Sequence, residues 1–260
     1  MKLFYRQFGK GRPVVILHGL FGLSDNWVTF GRQLSEHYAV YIPDLRNHGQ
    51  SPHSNVFDFP SLENDLLEMV EENGLEHIYL LGHSLGGKTA MFFALHHPEL
   101  VNKLVVVDIS LRKSPPSREH QQLLNAMMSV DLRAAKSRSE VDLQLQTMVK
   151  SKKLRQFLLK NVYWRDKNSL DWRLNLKAIS DNILSVFEGV DVSGSYPGPA
   201  LFIRGGLSDY VLDADIDELK MKFPGGEMKT IAMASHWVHA DAPGEFSFLV
   251  KNFFDRVNNV

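Results

Sequence analysis

The sequence contains no cysteine among its 260 residues, which excludes disulfide bridges and thiolate metal sites. It has no apolar run of about 18 residues, the length that a membrane-spanning helix needs, and residues 1–6 lack the apolar core of a signal peptide. Charge of one sign is not in excess either, since 29 Lys and Arg face 30 Asp and Glu. No global field would therefore attract nucleic acid or an anionic membrane. These absences favour a cytoplasmic protein.

Apolar residues make up 44% of the chain, which is enough for one large core. Short apolar runs rich in β-branched residues alternate with helical patterns, and this alternation predicts an α/β protein with a mainly parallel sheet flanked by helices. The predicted strands are Val14–Leu17, Val40–Ile42, Ile78–Leu81, Leu104–Val107, Leu201–Ile203 and Met228–Met233. The predicted helices are Asn64–Glu72, Lys88–His97 and Phe246–Val257.

The stretch 111–198 breaks this alternation, because it is rich in helix formers and charge and has no comparable strand-like run. Pro115-Pro116 marks its entrance and Gly194–Pro199 its exit. We therefore predict an α/β core from 1–110 and 199–260, with a helical cap at 111–198. An insertion at the carboxyl ends of strands lies where ligands bind, so the cap is expected to act as a lid, although a purely stabilising subdomain would have the same pattern. The basic stretch Lys150–Arg155 is interpreted as a solvated helix face.

The most informative motif is Gly82-His83-Ser84-Leu85-Gly86, which follows an apolar run and opens a small-residue helix. This is the G-x-S-x-G nucleophile elbow in its strand-turn-helix setting. The turn lifts the Ser84 hydroxyl clear of the sheet, and side chains at Gly82 and Gly86 would collide there. The backbone N–H of Leu85 then points at the oxygen that becomes negative during acyl transfer.

A second motif, His18–Gly22, follows the strand that ends at Leu17. A glycine-bordered loop there can offer another backbone N–H to the oxyanion, with Leu20 as the first candidate and Phe21 as the alternative. The polar, turn-forming segment Asp44–Ser51 comes after the next strand, and we expect it to brace the loops around the site.

The candidate base is His236, which comes after the last predicted strand and before the last helix. An imidazole at that point can reach the top of the sheet, take the Ser84 proton and return it to the leaving group. His239 is the competitor three residues later. His236 is preferred because its spacing to Pro243 matches the hydrolase pattern.

Together these motifs make the chain resemble the α/β-hydrolase superfamily. The motifs that carry the resemblance are His18-Gly19, Asp44-x-Arg46-x-His48-Gly49-x-Ser51, Gly82–Gly87 and His236-Trp237. Val105–Ile109, Gly205–Ser208 and His236–Ala240 further resemble the YbfF-like branch of small acyl esterases, whereas the insertion resembles it only in Trp172–Asn175. The resemblance implies hydrolysis of a small-molecule carboxylic ester or thioester by a Ser-His-Asp triad, through an acyl-enzyme and without cofactor or metal.

The acid of the triad departs from the commonest superfamily pattern, because Ser208 occupies the position where an Asp is expected after Ile203. Asp209 is one residue late, and a shift of one residue in a loop usually turns a side chain elsewhere. The resemblance to YbfF-like esterases instead implies Asp108 as the acid. Asp108 is preferred, Asp209 is the alternative, and Ser208 would add a hydrogen bond to the histidine or the carboxylate.

The resulting hypothesis makes Ser84 the nucleophile, His236 the base and Asp108 the residue that orients it. Phe21, Trp164 and Trp172 are candidate walls of an acyl pocket, because such pockets are mostly apolar and aromatic. An acyltransferase or a C–C bond hydrolase would use the same triad, and a hydrolase-fold protein that only binds a ligand would retain it.

Overall fold

A computed structural model describes residues 1–113 and 118–256. Three residues of the predictions lie outside the described residues: Pro115 and Pro116, predicted to mark the entrance of the insertion, and Val257, predicted to end the last helix. In the described ranges the strands are β1 (Tyr5–Phe8), β2 (Arg12–Leu17), β3 (Tyr38–Pro43), β4 (Ile78–His83), β5 (Val101–Val107), β6 (Val162–Trp164), β7 (Leu170–Trp172), β8 (Ala200–Gly205) and β9 (Gly226–Ile231). The α-helices are α1 (Val28–Leu34), α2 (Phe59–Glu72), α3 (Leu85–His96), α4 (Arg118–Ser129), α5 (Arg138–Gln146), α6 (Lys152–Leu159), α7 (Leu176–Asp181), α8 (Ile216–Lys222), α9 (Val238–Asp241) and α10 (Pro243–Asp255).

The central sheet has the strand order β1-β3-β2-β4-β5-β8-β9. All neighbouring strands are parallel except β1, which pairs antiparallel with β3. The α/β fold with a mainly parallel sheet is therefore confirmed. Parallel strands all end at one edge of the sheet, and this edge collects the loops that follow β2, β4, β5, β8 and β9.

Both faces of the sheet are covered at its central strands, which explains why β2, β3, β4, β5 and β8 are mostly apolar, whereas the edge strands β1 and β9 are not. On β2, Val14 and Ile16 belong to the hydrophobic cluster that includes Phe246 of α10, whereas Val15 and Leu17 belong to the cluster that includes Leu66 of α2. All four β2 side chains are fully buried. The sheet is thus a rigid platform for the loops at its carboxyl edge.

Both edge strands of the sheet differ from the sequence-based prediction. The edge strand β1 was not predicted, because Tyr5–Phe8 carries two adjacent polar residues between its aromatic ends and is only partly buried. The last strand, Gly226–Ile231, begins two residues before the predicted Met228 and ends two before Met233, which is 80% exposed.

The segment between β5 and β8 is not purely helical. It contains α4 to α7, and β6 and β7 form an antiparallel hairpin within it. Buried residues of this segment, among them Leu124, Leu145 and Leu158, belong to the same hydrophobic cluster as Val15 and Leu17 of the sheet. The division into a core and a cap at 111–198 stays a prediction. Within the described ranges no helix has both the length and the apolar character needed to cross a bilayer.

Candidate active site

Ser84 stands between the last residue of β4 and the first residue of α3. Its backbone has φ 54° and ψ −118°, a conformation that non-glycine residues rarely adopt. The turn is closed so tightly that a Cβ at Gly82 would lie 2.1 Å from the carbonyl oxygen of Gly86, and a Cβ at Gly86 would lie 2.5 Å from that of Leu17. Glycine at both positions is therefore what allows Ser84 to sit at the tip of the elbow.

His236 lies in the loop between β9 and α9, and its Nδ1 is 2.8 Å from Oδ2 of Asp108, directly after β5. The Asp108 carboxylate is fully buried, and Oδ1 accepts a hydrogen bond from the backbone N–H of Gly205 at 2.8 Å. Ser208 donates its hydroxyl to Oδ2 at 2.5 Å. A carboxylate at Nδ1 keeps the proton on that nitrogen and leaves a lone pair on Nε2, the atom that a general base requires.

Asp209 occupies an exposed position in the loop after β8. Its backbone carbonyl accepts a hydrogen bond from Arg112 at 3.0 Å. The structure thus brings His236 together with Asp108 and Ser208, and it leaves Asp209 at the surface. Strand order accounts for this, because β5 and β8 are neighbours and the turn after β8 carries Ser208 onto the end of β5.

The imidazole of His236 lies between two other rings. Tyr210 stacks on it with ring centroids 3.7 Å apart and an interplanar angle of 17°. The ring of His83 lies 4.7 Å away, and its Nε2 is 2.9 Å from the backbone carbonyl oxygen of His236. His239, the competing base, stacks instead on Trp27 at 4.2 Å. Burial lowers the pKa of His239 to about 3 and that of His83 well below the ordinary value, so both rings are neutral near pH 7.

The loop after β2 lies directly against Ser84, since a Cβ at Gly19 would be 3.2 Å from Cβ of Ser84. Phe21 has a left-handed backbone, with φ 61°, and its N–H donates to Nε2 of His48 at 3.2 Å. The N–H of Phe21, the alternative oxyanion donor, is therefore engaged within the protein. Leu20 and Leu85, the preferred pair, both line the cavity at Ser84.

The segment after β3 fixes this loop through neutral imidazoles. His18 accepts the N–H of Leu45 on Nε2 at 2.9 Å, in the same way as His48 accepts that of Phe21. Burial lowers the pKa of His18 to about 4 and that of His48 to about 3, so the accepting lone pairs are available at neutral pH. Asp44 anchors the same region by accepting the N–H of Ser24 at 2.6 Å.

A narrow cavity of about 20 Å³ adjoins Ser84. This volume is roughly what one water molecule requires. Its walls are mostly apolar. The lining residues are Leu20, Ser84, Leu85, Lys88, Ile109, His120, Val186, Phe187 and Tyr210. Four of them, Ile109, His120, Val186 and Phe187, come from the segment between β5 and β8, which therefore closes one side of the cavity.

Lys88 connects the two ends of that segment. Its Nζ donates to the backbone carbonyl of Arg112 at 2.9 Å and to that of Glu188 at 2.6 Å. The side chain is almost fully buried, and burial together with the nearby Arg112 lowers the pKa of Lys88 to about 8.

The structure does not bring the three predicted pocket walls to this cavity. Among the described residues that line it, none is Phe21, Trp164 or Trp172. The ring of Phe21 is buried in the core, Trp172 packs in the hairpin, and Trp164 on the same hairpin is 49% exposed.

The residues that sequence reasoning missed are Tyr210, His120 and Lys88. Only Lys88 carried a signal, since it follows Ser84 by one helical turn.

The strand-turn-helix elbow at the carboxyl edge of a mainly parallel sheet defines the class of the protein as an α/β hydrolase. A family model described as alpha/beta hydrolase fold matches residues 12–243, and the chain belongs to this family. Among its relatives is the sn-1-specific diacylglycerol lipase ABHD11 of Xenopus laevis, 36% identical over 94% of this chain and 80% of that protein. Esterase YbfF of Escherichia coli K12 is 32% identical over 89% of this chain and 88% of its own length. The solved structure of a marine microorganism esterase superposes with a TM-score of 0.94 and 39% identity, covering 97% of this chain and 99% of that one.

Proposed function

We propose that the protein is a serine hydrolase that cleaves carboxylic esters, in which Ser84, His236 and Asp108 form the catalytic triad. Relatives named esterase or lipase support ester hydrolysis as the general activity. The observation that carries the assignment of residues is the contact of 2.8 Å between Nδ1 of His236 and the buried carboxylate of Asp108.

In the proposed reaction, Nε2 of His236 takes the hydroxyl proton of Ser84 while Oγ attacks the acyl carbonyl carbon. The backbone N–H groups of Leu20 and Leu85 hold the oxyanion that forms. The imidazolium then gives its proton to the departing alkoxide, and the acyl group stays on Ser84. A water molecule, deprotonated by His236, repeats the attack and releases the acid, so that one ester and one water yield one acid and one alcohol.

Asp108 acts in this scheme through His236. Its carboxylate keeps the imidazole in the Nδ1–H tautomer and stabilises the imidazolium that forms in each half-reaction. The hydroxyl of Ser208 and the N–H of Gly205 hold the carboxylate oxygens in place.

The cavity supports a small aliphatic acyl group as substrate. Its apolar walls would accept a hydrocarbon chain, and its volume of about 20 Å³ leaves little space beyond the carbonyl carbon. Longer acyl groups, such as those of a diacylglycerol, would require the segment that carries Phe187 to move away. We therefore expect short acyl esters to be cleaved faster than long ones.

The test is hydrolysis of p-nitrophenyl esters from acetate to palmitate by the wild type and by Ser84→Ala. We expect turnover by the wild type with a maximum at short chains, and a loss of roughly 10³-fold or more in Ser84→Ala. An acylated peptide containing Ser84, found by mass spectrometry after rapid quenching, would support the covalent step. If the folded wild type hydrolysed none of the series, a protein that only binds a ligand would be the better assignment.

A further inference from the structure

Tyr210 covers one face of the candidate base. The two rings are nearly parallel, at 17°, with 3.7 Å between their centroids. The backbone N–H of Tyr210 also donates to Oγ of Ser208 at 3.3 Å, and that hydroxyl donates to Asp108. The ring that stacks on His236 is therefore carried by the same turn that holds the carboxylate.

The hydroxyl of Tyr210 reaches the segment between β5 and β8. It lies 3.3 Å from Nε2 of His120, a residue of α4. His120 packs edge to face on Phe187, near the other end of that segment, with ring centroids 4.8 Å apart. One side chain thus contacts both the imidazole of His236 and the wall of the cavity.

The titratable groups around His236 come from five elements: Asp108 after β5, His83 of β4, His120 of α4, Tyr210 after β8 and His239 of α9. Burial lowers the pKa of His120 to about 4, so the contact between His120 and Tyr210 involves a neutral imidazole at the pH of catalysis. Asp108 is the one anion among these groups. Among the described residues, Tyr210 carries the one aromatic ring whose centroid lies within 4 Å of the centroid of the His236 imidazole.

Building on the proposed function, we propose that Tyr210 is a positioning residue of the hydrolase. Its ring orients the His236 imidazole and stabilises the imidazolium cation, and its hydroxyl links the ring to His120 in the wall of the cavity. The face of an aromatic ring is negative, and a cation placed over it is attracted. His236 is neutral before each proton transfer and positive afterwards. The transition states approach the charged state of His236. The stack therefore stabilises them more than it stabilises the resting enzyme, in which His236 is neutral.

The ring is tested by Tyr210→Leu against Tyr210→Phe, which keeps the aromatic face. We expect Tyr210→Leu to lower kcat roughly three- to thirtyfold, with a smaller effect on KM. The acid limb of the kcat/KM profile should also move to lower pH, because the protonated imidazole loses a favourable contact. Tyr210→Phe should keep the midpoint of that limb.

The direction of this movement separates the proposal from a role in packing alone. If Tyr210 only shielded the imidazole from water, its removal would hydrate the cation and move the acid limb to higher pH. A shift to higher pH in Tyr210→Leu, or no shift, would overturn the proposed role of the ring. Tyr163→Phe, in the hairpin, is the matched control and should leave both kcat and the acid limb as in the wild type.

The hydroxyl is tested by a double-mutant cycle of Tyr210→Phe and His120→Phe. Each single variant loses the same hydrogen bond, so we expect each to lower kcat/KM by a similar factor, roughly two- to tenfold. The double variant should be no slower than either single variant. Losses that multiply in the double variant would show that the two residues act independently and would overturn the link.

This cycle remains informative if Tyr210→Leu does not fold, which circular dichroism and a thermal melt would reveal. Its outcome is also distinguishable from failure of the proposed function. A wild type that hydrolyses no ester would refute the hydrolase itself. A wild type that depends on Ser84, combined with an unmoved acid limb in Tyr210→Leu or multiplicative losses in the cycle, would refute only the role of Tyr210.

Discussion

At the scale of single residues, the strongest prediction concerns the two candidate acids. Asp108→Asn places an amide against Nδ1 of His236, which favours the wrong tautomer, so we expect kcat to fall by the order of 10⁴-fold. Asp209→Asn should stay within about twofold of the wild type, because its side chain is exposed and surface substitutions away from a site have small effects. The measurement is the steady-state hydrolysis of p-nitrophenyl butyrate by both variants.

The reverse result would reassign the acid. A collapse of kcat in Asp209→Asn with near-normal rates in Asp108→Asn would mean that the loop after β8 rearranges in the working enzyme. Far-ultraviolet circular dichroism on both variants shows whether any loss of rate is a loss of fold.

The candidate residues differ in how far the sequence could identify them. Ser84 and His236 could be selected because each has a local signal, a G-x-S-x-G turn and a position between the last strand and last helix. Asp108 could be proposed only by resemblance, since its neighbour in space, Ser208, is 100 residues away along the chain. Tyr210 and His120 had no signal at all, because their roles depend on contacts between distant loops. Phe21 and Trp172 show a different limit of sequence reasoning, since both were predicted as pocket walls and both are buried aromatic residues of the hydrophobic core.

At the scale of elements, the elbow makes a prediction about stability. A methyl group at Gly82 would meet the Gly86 carbonyl at 2.1 Å, and backbone atoms cannot yield as a flexible side chain can. We expect Gly82→Ala to lower the free energy of unfolding by about 2 kcal/mol or more, measured by urea denaturation. Gly244→Ala is the control, since no atom lies within 4 Å of its added methyl group in α10. It should be neutral or stabilise by up to about 1 kcal/mol.

Equal losses in the two glycine variants would contradict this account of the elbow, because Gly244→Ala creates no crowding and the loss would then have another cause. The central parallel strands could be predicted from the sequence, because strands buried on both faces need continuous apolar residues, as Val14–Leu17 shows. The hairpin Val162–Trp172 could not, because each of its strands has three residues and depends on its partner for every hydrogen bond.

At the scale of the whole molecule, several buried histidines are part of the scaffold. His18 and His48 are fully buried and hold the loop beside Ser84, and His120 is buried in the wall of the cavity. Burial lowers the pKa of His18 and of His120 to about 4 and that of His48 to about 3, against about 6.5 in an unfolded chain. The folded state therefore excludes protons that the unfolded state binds.

This difference fixes the sign of the pH dependence. Above pH 6.5 both states carry neutral imidazoles, and the histidines make no difference to the free energy of unfolding. Below pH 6.5 the imidazoles of the unfolded state take up protons, whereas those of the folded state do not. Each such histidine therefore lowers the free energy of unfolding by about 1.4 kcal/mol per pH unit. This continues down to the pKa of the group in the folded state, about 4 or 3. His83 and His239 act in the same way, because burial also lowers their pKa. At about 2 kcal/mol each between pH 6.5 and 5, the five groups would remove a large part of the roughly 5–15 kcal/mol that a domain possesses.

We therefore expect the urea midpoint to fall steeply between pH 6.5 and 5, and the slope of the free energy of unfolding against pH to correspond to about five protons. Replacing the exposed His53 by Gln should leave that slope unchanged, because folding does not bury this side chain. Replacing His48 by Gln should reduce the slope by about one proton, whatever it does to stability at pH 7.5. A urea midpoint that stays constant from pH 7.5 to 5 would mean that these imidazoles are protonated in the folded protein at pH 5. Nε2 of His18 and of His48 could not then accept hydrogen bonds from backbone N–H groups, and the account of the scaffold would be wrong.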